Sequence, residues 1–416
     1  MIKNFGLAAF ILTSVLIISG CIVAPVPENN PDNPAKLATI IEETIQSMQA
    51  SNTVVTTTPQ PQETEQATDT LEMSTPSLLP HSLYFLAPGT NGKEQIWRME
   101  KDGSGIVVLT AEANGIAGYD ISPSSGLLAY LTNNRIVIAD GEGKIIRILI
   151  EGPPNDGNDI WYVTQRVGSP VWSPDGNQIS YGYNGLNLSN PDGSNLRLLL
   201  QNKYKTMEGG LIIVEEVYGP AAWSPDGKKL LVNIGYYEGG SKGLLNLSDN
   251  SLLRFTGGDL CCSSNWSPDG SRIVTTSAAY AAGSDMWVYD TSNGVGIQLI
   301  PMQAADGKFN YADFPFVFGT DVYFGFTSFE TEMQQNSPLT LSRISMNNPA
   351  DRVTLRQDSQ DLLELLWASD ASLAIGVLPS PGETGYPGHG PVVLIYMDDR
   401  PIQALTADGH YLRWGQ

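Results

Sequence analysis

Three stretches of the chain share one pentapeptide: VWSPDGNQIS at 171–180, AAWSPDGKKL at 221–230 and SNWSPDGSRI at 264–273. Ser-Pro-Asp-Gly is a tight-turn sequence. Pro presets φ at about −65°, Asp can bond its own backbone, and Gly supplies a positive φ. The runs that follow, such as KLLVNIG and RIVTTS, are short and apolar, as strands are. The pentapeptide therefore reads as strand, turn, strand: a structural part used three times rather than a piece of chemistry. Its Trp falls on the first strand, where a large ring can wedge between neighbouring sheets.

Weaker copies extend the pattern. They place Ile121 (YDISPSSGLLAYL), Phe318 (FPFVFGTDVYFGF), Trp367 (LLWASDASLAIGVL) and Trp414 (YLRWGQ) at the position of the Trp, and the seven positions lie 43 to 52 residues apart. Upstream of each is a second strand-turn-strand unit, from IWRMEKDGSGIVVLT to VLIYMDDRPIQALT. Calling the upstream pair A–B and the Trp pair C–D gives four strands per repeat. Such a unit has two apolar faces and cannot cover both alone. Stacking around an axis covers them. The expected fold is all-β, a seven-bladed β-propeller of four-stranded antiparallel blades. The last repeat stops at Gln416 after a C strand, while SLYFLA at 82–87 reads as a D strand without a repeat. Residues 82–87 are thus expected to join the C-terminal blade and close the ring, leaving no open edge there.

WSPDG at 172–176, 223–227 and 266–270 resembles the TolB-type propeller repeat, over about 82–416 of this chain. The resemblance implies the propeller fold and little about function, because the repeat occurs in binding proteins, peptidase caps and lyases. It is a resemblance to the repeat and not to TolB itself, which has a folded α/β domain where this chain has a polar segment.

The N-terminus reads differently. Lys3 precedes an apolar run from Leu7 to Ile18, which is shorter than a spanning helix and has signal-peptide proportions. Ile18-Ser19-Gly20-Cys21 resembles a bacterial lipobox, which implies a lipoprotein signal peptide over 1–20 and acylation of Cys21. The expected location is extracytoplasmic, lipid-anchored to the cell membrane or an outer membrane. Residues 21–80, with runs such as TTTPQPQETEQATDT, form a disordered Pro/Thr/Gln-rich tether ahead of the 81–416 propeller. Within it Leu37, Ile40, Ile41, Thr44, Ile45 and Met48 follow helical spacing, so 34–50 reads as a short amphipathic helix. The net charge of −21 excludes nucleic acid as a partner and leaves the lipid anchor as the only expected membrane contact.

Strand order puts the A–B and C–D turns on one face and the B–C and D–A loops on the other. The second face takes the long insertions, among them loops expected at 201–219 and 303–314, and is the expected ligand-binding face. Its candidate contact residues are Trp161, Tyr162, Tyr204, Tyr218, Tyr236, Tyr237, Tyr280 and Tyr386, with Glu208, Glu215, Glu216, Glu238 and Asp313 among them. Flat rings with a polar handle suit protein, peptide or glycan surfaces, although any of them can instead pin a loop to the body. Cys261 and Cys262 lie in a B–C loop and can stand as two thiols or close a vicinal disulfide. Gly239-Gly240-Ser241-Lys242-Gly243 matches a hydrolase elbow in letters only, since no helix follows. Of the three histidines, strand direction puts His389 and His410 on the loop face and His81 at the opposite end. No cofactor, metal or catalytic residue is expected. The reading is a non-catalytic binding propeller. The alternatives are a hydrolase or lyase of an envelope or extracellular polymer, using loop carboxylates, and a scaffold of an envelope complex.

Overall fold

The structure is a computed structural model that describes residues 77–154, 164–208, 212–237, 239–257, 260–277, 283–330, 338–380, 388–398 and 400–416. Cys21 and the tether expected before residue 77 lie outside these. The described residues form seven antiparallel sheets. Blade one is β4 (Gly118–Ile121), β5 (Leu128–Thr132), β6 (Arg135–Ala139) and β7 (Ile145–Glu151). Blade two is β8 (Val171–Trp172), β9 (Ile179–Gly182), β10 (Gly185–Ser189) and β11 (Arg197–Gln201). Blade three is β13 (Ile212–Trp223), β14 (Lys229–Tyr236), β15 (Gly239–Asn246) and β16 (Leu252–Arg254), with β12 (Lys203–Thr206) added beside β13. Blade four is β17 (Ser264–Trp266), β18 (Arg272–Thr276), β19 (Met286–Asp290) and β20 (Gly296–Ile300). Blade five is β21 (Phe309–Phe318), β22 (Asp321–Phe329), β23 (Leu339–Ser345) and β24 (Asn348–Gln360). Blade six is β25 (Glu364–Trp367), β26 (Leu373–Val377), β27 (Val392–Tyr396) and β28 (Gln403–Thr406). Blade seven joins β29 (His410–Trp414) to β1 (Leu83–Pro88), β2 (Glu94–Met99) and β3 (Val107–Val108).

The first strands touch in the cycle β29, β4, β8, β13, β17, β21, β25 and back to β29, so the ring is closed. The closing register sets Leu83 opposite Trp414 and Leu86 opposite His410, as the unpaired SLYFLA run implied. A blade, however, runs C-D-A-B and straddles two sequence repeats. Strands D and A are joined by short hairpins such as Asn133-Asn134, both at positive φ, and therefore pair with each other. The B–C link instead carries the chain from the outer edge of one blade to the inner strand of the next. As a result the C-terminus gives one strand to blade seven and the N-terminus gives three.

The core lies between blades. Leu83 and Phe85 pack against Leu373 and Leu394 of blade six, while Tyr84 and Leu86 pack against Leu128 and Tyr130 of blade one. Alternate side chains of a strand point to opposite faces, so a strand buried on both faces is apolar throughout. Five further interfaces follow the same rule, and each Trp of the pentapeptide fills one. Trp172 sits among Ala129, Leu131 and Ile138 of blade one and Ile179 of its own blade. Trp223 packs on Leu186 and Leu188 of blade two, and its Nε1 donates to Val171 O at 3.2 Å.

The serine of the pentapeptide, given no role in the sequence reading, latches the turn. Ser224 Oγ donates to Asp226 Oδ1 (2.7 Å) and accepts Lys229 N–H (2.9 Å), while Gly227 closes the turn onto Ser224 O at φ +69°. Ser173 and Ser267 repeat the pattern. The hydroxyl of Ser267, with the Ser271 amide, holds the Asp269 carboxyl down at about 2. The stability this adds is complete above an unfolded pKa of about 4 and is lost as the pH falls toward about 2. Ser224→Ala should cost about 1–2 kcal/mol in urea denaturation, because it strips a part-buried amide of its acceptor.

Candidate functional site

The two ends of the ring differ. The A–B and C–D turns satisfy themselves, as in Asp192 with Ser194, Asp249 with Ser251 and Asp290 with Ser292. The B–C and D–A end carries the insertions, and 201–219 is more than the expected loop. It is a β-hairpin in which β12 pairs the first half of β13, with Lys203 opposite Glu216 and Lys205 opposite Ile213. Its polar surface hid the alternation of a strand. Similarly, the FNYADF of the expected 303–314 loop belongs to β21, and Gly239–Gly243 are paired residues of β15, with Ser241 opposite Ile234.

The candidate contact residues separate on this framework. Trp161, Tyr162, Tyr280 and Tyr386 lie outside the described residues, as does Glu238. Tyr237 is 58% exposed at the tip of the β14–β15 hairpin. Tyr204, Tyr218 and Tyr236 belong to a polar network at the foot of the β12–β13 hairpin. Glu216 accepts Lys203 Nζ at 2.6 Å, the Tyr218 hydroxyl, and Arg254 Nη2 at 2.8 Å. Arg254 reaches the Tyr236 hydroxyl at 3.4 Å, and Asn202 Nδ2 donates to the Tyr204 hydroxyl at 2.9 Å. Burial works to raise the Glu216 carboxyl, but Lys203, Tyr218 and Arg254 prevail and hold it below the usual range. Tyr218 is only 5% exposed, packed with Trp223 and Ile234, so it anchors the hairpin and adds little contact area. Asp313 is likewise buried and accepts Thr276 Oγ1 at 3.0 Å. The sulfurs of Cys261 and Cys262 are placed as a bridge with Cα atoms 3.8 Å apart, and Cys262 is buried.

The axis holds a charged cluster that the sequence reading missed. Asp120 Oδ2 accepts the Trp172 amide at 2.7 Å, and Asn265 Oδ1 accepts the Val317 amide at 2.9 Å. Glu364 accepts the Tyr411 and Leu412 amides at 2.6 and 2.7 Å. Each side chain thus staples its inner strand to the next blade. Arg413 Nε stands 3.9 Å from Asp120 Oδ1, with its guanidinium over the Tyr411 ring. Tyr411 takes a left-handed φ of 56°, a conformation unusual for a bulky residue. Burial raises the Asp120 and Glu364 carboxyls against the pull of Arg413. The side chains of Asp120 and Arg413 keep 18% and 40% exposure, so the cluster borders the axial opening. No local pattern signals these staples: Asp120 and Asn265 directly precede the Trp position, but Glu364 stands three residues before Trp367.

With raised folded values, Asp120 and Glu364 take up protons earlier in the folded chain than in the unfolded one. Their net contribution to stability therefore grows as the pH falls toward the carboxylate range. As the pH is lowered from neutral toward about 4, the melting temperature of the parent should rise relative to that of Asp120→Asn.

His389 and His410 meet on the loop face with ring centroids 6.2 Å apart, while His81 lies by Trp414. His389 Nδ1 is 2.7 Å from Asp408, and His410 Nε2 is 3.2 Å from Glu94. Among the described residues no group of three or more His, Cys, Asp or Glu is arranged to hold a metal ion. A shallow cleft of about 260 Å³ opens beside them, lined by Lys93, Glu94, Asn114, Ile116, Thr132 and Asn133.

No protein-family model matches the chain. No curated protein matches it either. Among solved structures it is similar to a puromycin hydrolase at 13% identity and TM-score 0.55, covering 80% of this chain and 53% of that one. A protein from Lactobacillus plantarum gives 12% identity and TM-score 0.51, covering 81% and 99%. TolB from Acinetobacter baumannii gives 14% identity and TM-score 0.39, covering 65% and 62%. The chain thus spans just over half of the hydrolase and about three fifths of the TolB chain. At these identities the first two likenesses speak for the fold alone, and that fold is the seven-bladed β-propeller.

Proposed function

We propose that this propeller is a non-catalytic binding protein that engages a protein, peptide or glycan through its B–C and D–A face. The asymmetry of the two ends carries the reading: one end is closed by self-satisfied turns, and the other raises a rigid hairpin held by Glu216 and presents Tyr237 beside it. Rigid aromatic contacts on a fixed scaffold lose little entropy on binding. The lipobox resemblance at Cys21 supports a lipid-anchored, extracytoplasmic placement. Photo-crosslinking to partners in intact cells tests the face. Changing Tyr237, Trp161 and Tyr162 to Ala should cut capture by roughly tenfold or more. Changing Asn177 and Lys228, on the turn face, to Ala should leave capture intact. The reverse pattern would sink the reading.

One observation favours an enzyme, namely the two axial carboxylates with raised pKa. Their bonding weighs against it. Both Glu364 oxygens and one Asp120 oxygen are committed to backbone amides.

A further inference from the structure

The rim of the ring is not uniform. Outer strands of blades seven, one and two carry Ile106, Val107 and Val108, then Ile145, Ile146 and Ile148, then Leu196 and Leu198, each at least 40% exposed. These eight are the majority of the fourteen large apolar side chains exposed among the described residues. The three blades are neighbours: Arg98 of blade seven donates to Gly141 O, and Arg147 of blade one donates to Asp192 O. The three outer strands therefore form an apolar band along one arc of the rim. Lys144, Arg147 and Arg197 punctuate it in an otherwise acidic protein.

The chain enters the body beside this band. Leu79 is buried and its amide donates to Lys101 O at 2.8 Å, in the turn that leads to 106–108. Twenty-eight residues separate Met48 from Ser77. A flexible chain of that length reaches about 30 Å on average. The segment before it, 34–50, has an apolar stripe at Leu37, Ile40, Ile41, Ile45 and Met48 and acidic Glu42 and Glu43 alongside. Length and entry point put the segment within reach of the band, where Lys144, Arg147 and Arg197 stand among Glu142, Glu151 and Asp192. We infer that residues 34–50 dock on the rim of blades seven, one and two, with the apolar stripe over Ile145–Ile148 and Glu42 and Glu43 toward Lys144, Arg147 and Arg197. The covalent link makes the contact intramolecular, so a modest affinity suffices. Docking would also leave only residues 22–33 between Cys21 and the docked segment, which limits how far the body stands from its anchor.

The test uses the full chain carrying Cys21→Ser, so that it is not acylated. Hydrogen exchange of 106–108, 145–148 and 196–198 is compared with that of a variant carrying Leu37→Asp, Ile41→Asp and Ile45→Asp. Exchange of these rim amides should speed up by roughly tenfold in the variant, with blades three to six unchanged. In the reciprocal variant, Ile146→Asp with Ile148→Asp, cleavage by a Glu-specific protease at Glu42 and Glu43 should accelerate by a similar factor, about tenfold. Identical rim exchange with and without the apolar stripe would overturn the inference. So would protection that grows with protein concentration, which marks a second copy, or protection seen only with phosphatidylglycerol vesicles, which marks a bilayer.

Discussion

A chain ending at Gly409 should fail to form the monomeric, cooperatively melting body of the full chain. The seven residues removed contain β29, the inner strand of blade seven and the only C-terminal strand in it. Its loss leaves β1 as an open edge of LYFLA with every residue buried in the intact ring. Leu412, at 0% exposure, leaves the cluster it shares with Leu83, Phe85, Val392 and Leu394. Trp414 no longer donates to Trp367 O, a 2.8 Å bond across the interface with blade six. Glu364 loses both of its amide donors and the guanidinium near it. Each lost large side chain costs about 2–5 kcal/mol. The sum rivals the total stability of a domain, about 5–15 kcal/mol. Size-exclusion chromatography with circular dichroism melting reads the result. A truncated chain that stays monomeric and melts within about 2 °C of the parent would show that the clasp is dispensable.

Trp223→Ala should cost about 3–5 kcal/mol, the range for a large ring removed from a packed core. The indole fills the interface of blades two and three, against Leu186, Leu188, Leu230 and Val232. No side chain of another blade can move in without breaking its own strand pairing. Phe substitutions separate packing from hydrogen bonding. Trp223→Phe loses the bond to Val171 O and should cost about 1 kcal/mol more than Trp172→Phe, whose Nε1 is buried without an acceptor. Urea denaturation of the three variants checks the order. Equal losses for the two Phe variants would remove the bond from the account.

Much of the architecture was legible because propeller physics writes itself into sequence period. A strand buried on both faces needs an unbroken apolar run such as LYFL or LAYL, and a tight turn needs Pro, Asp and Gly, so strands and turns could be counted directly. The closure was legible from one unmatched D strand. The grouping of strands into blades was not, because a sequence repeat and a blade have the same period and differ only in phase. The β12–β13 hairpin was missed since KYKT and VEEV carry charges on a strand that stands clear of the core. Tyr218 looked like a loop aromatic because the start of its strand was read as loop. The axial staples are single residues, such as Asp120 and Glu364, whose partners lie on the next blade some fifty residues away in sequence. Nothing local marks them. The serine latch was visible but overlooked, because Pro-Asp-Gly alone suffices for a turn, while the backbone amide five residues on needs the hydroxyl.

Hydrogen exchange resolved to single amides across 83–86, 128–131 and 410–414 tests most directly that the two chain ends form one blade of a closed ring. If they do, the amides of Leu83–Leu86 and His410–Trp414 exchange in the same slow class as Leu128–Leu131 of blade one, by one global opening. Fast exchange at 410–414, with 128–131 still protected, would contradict it.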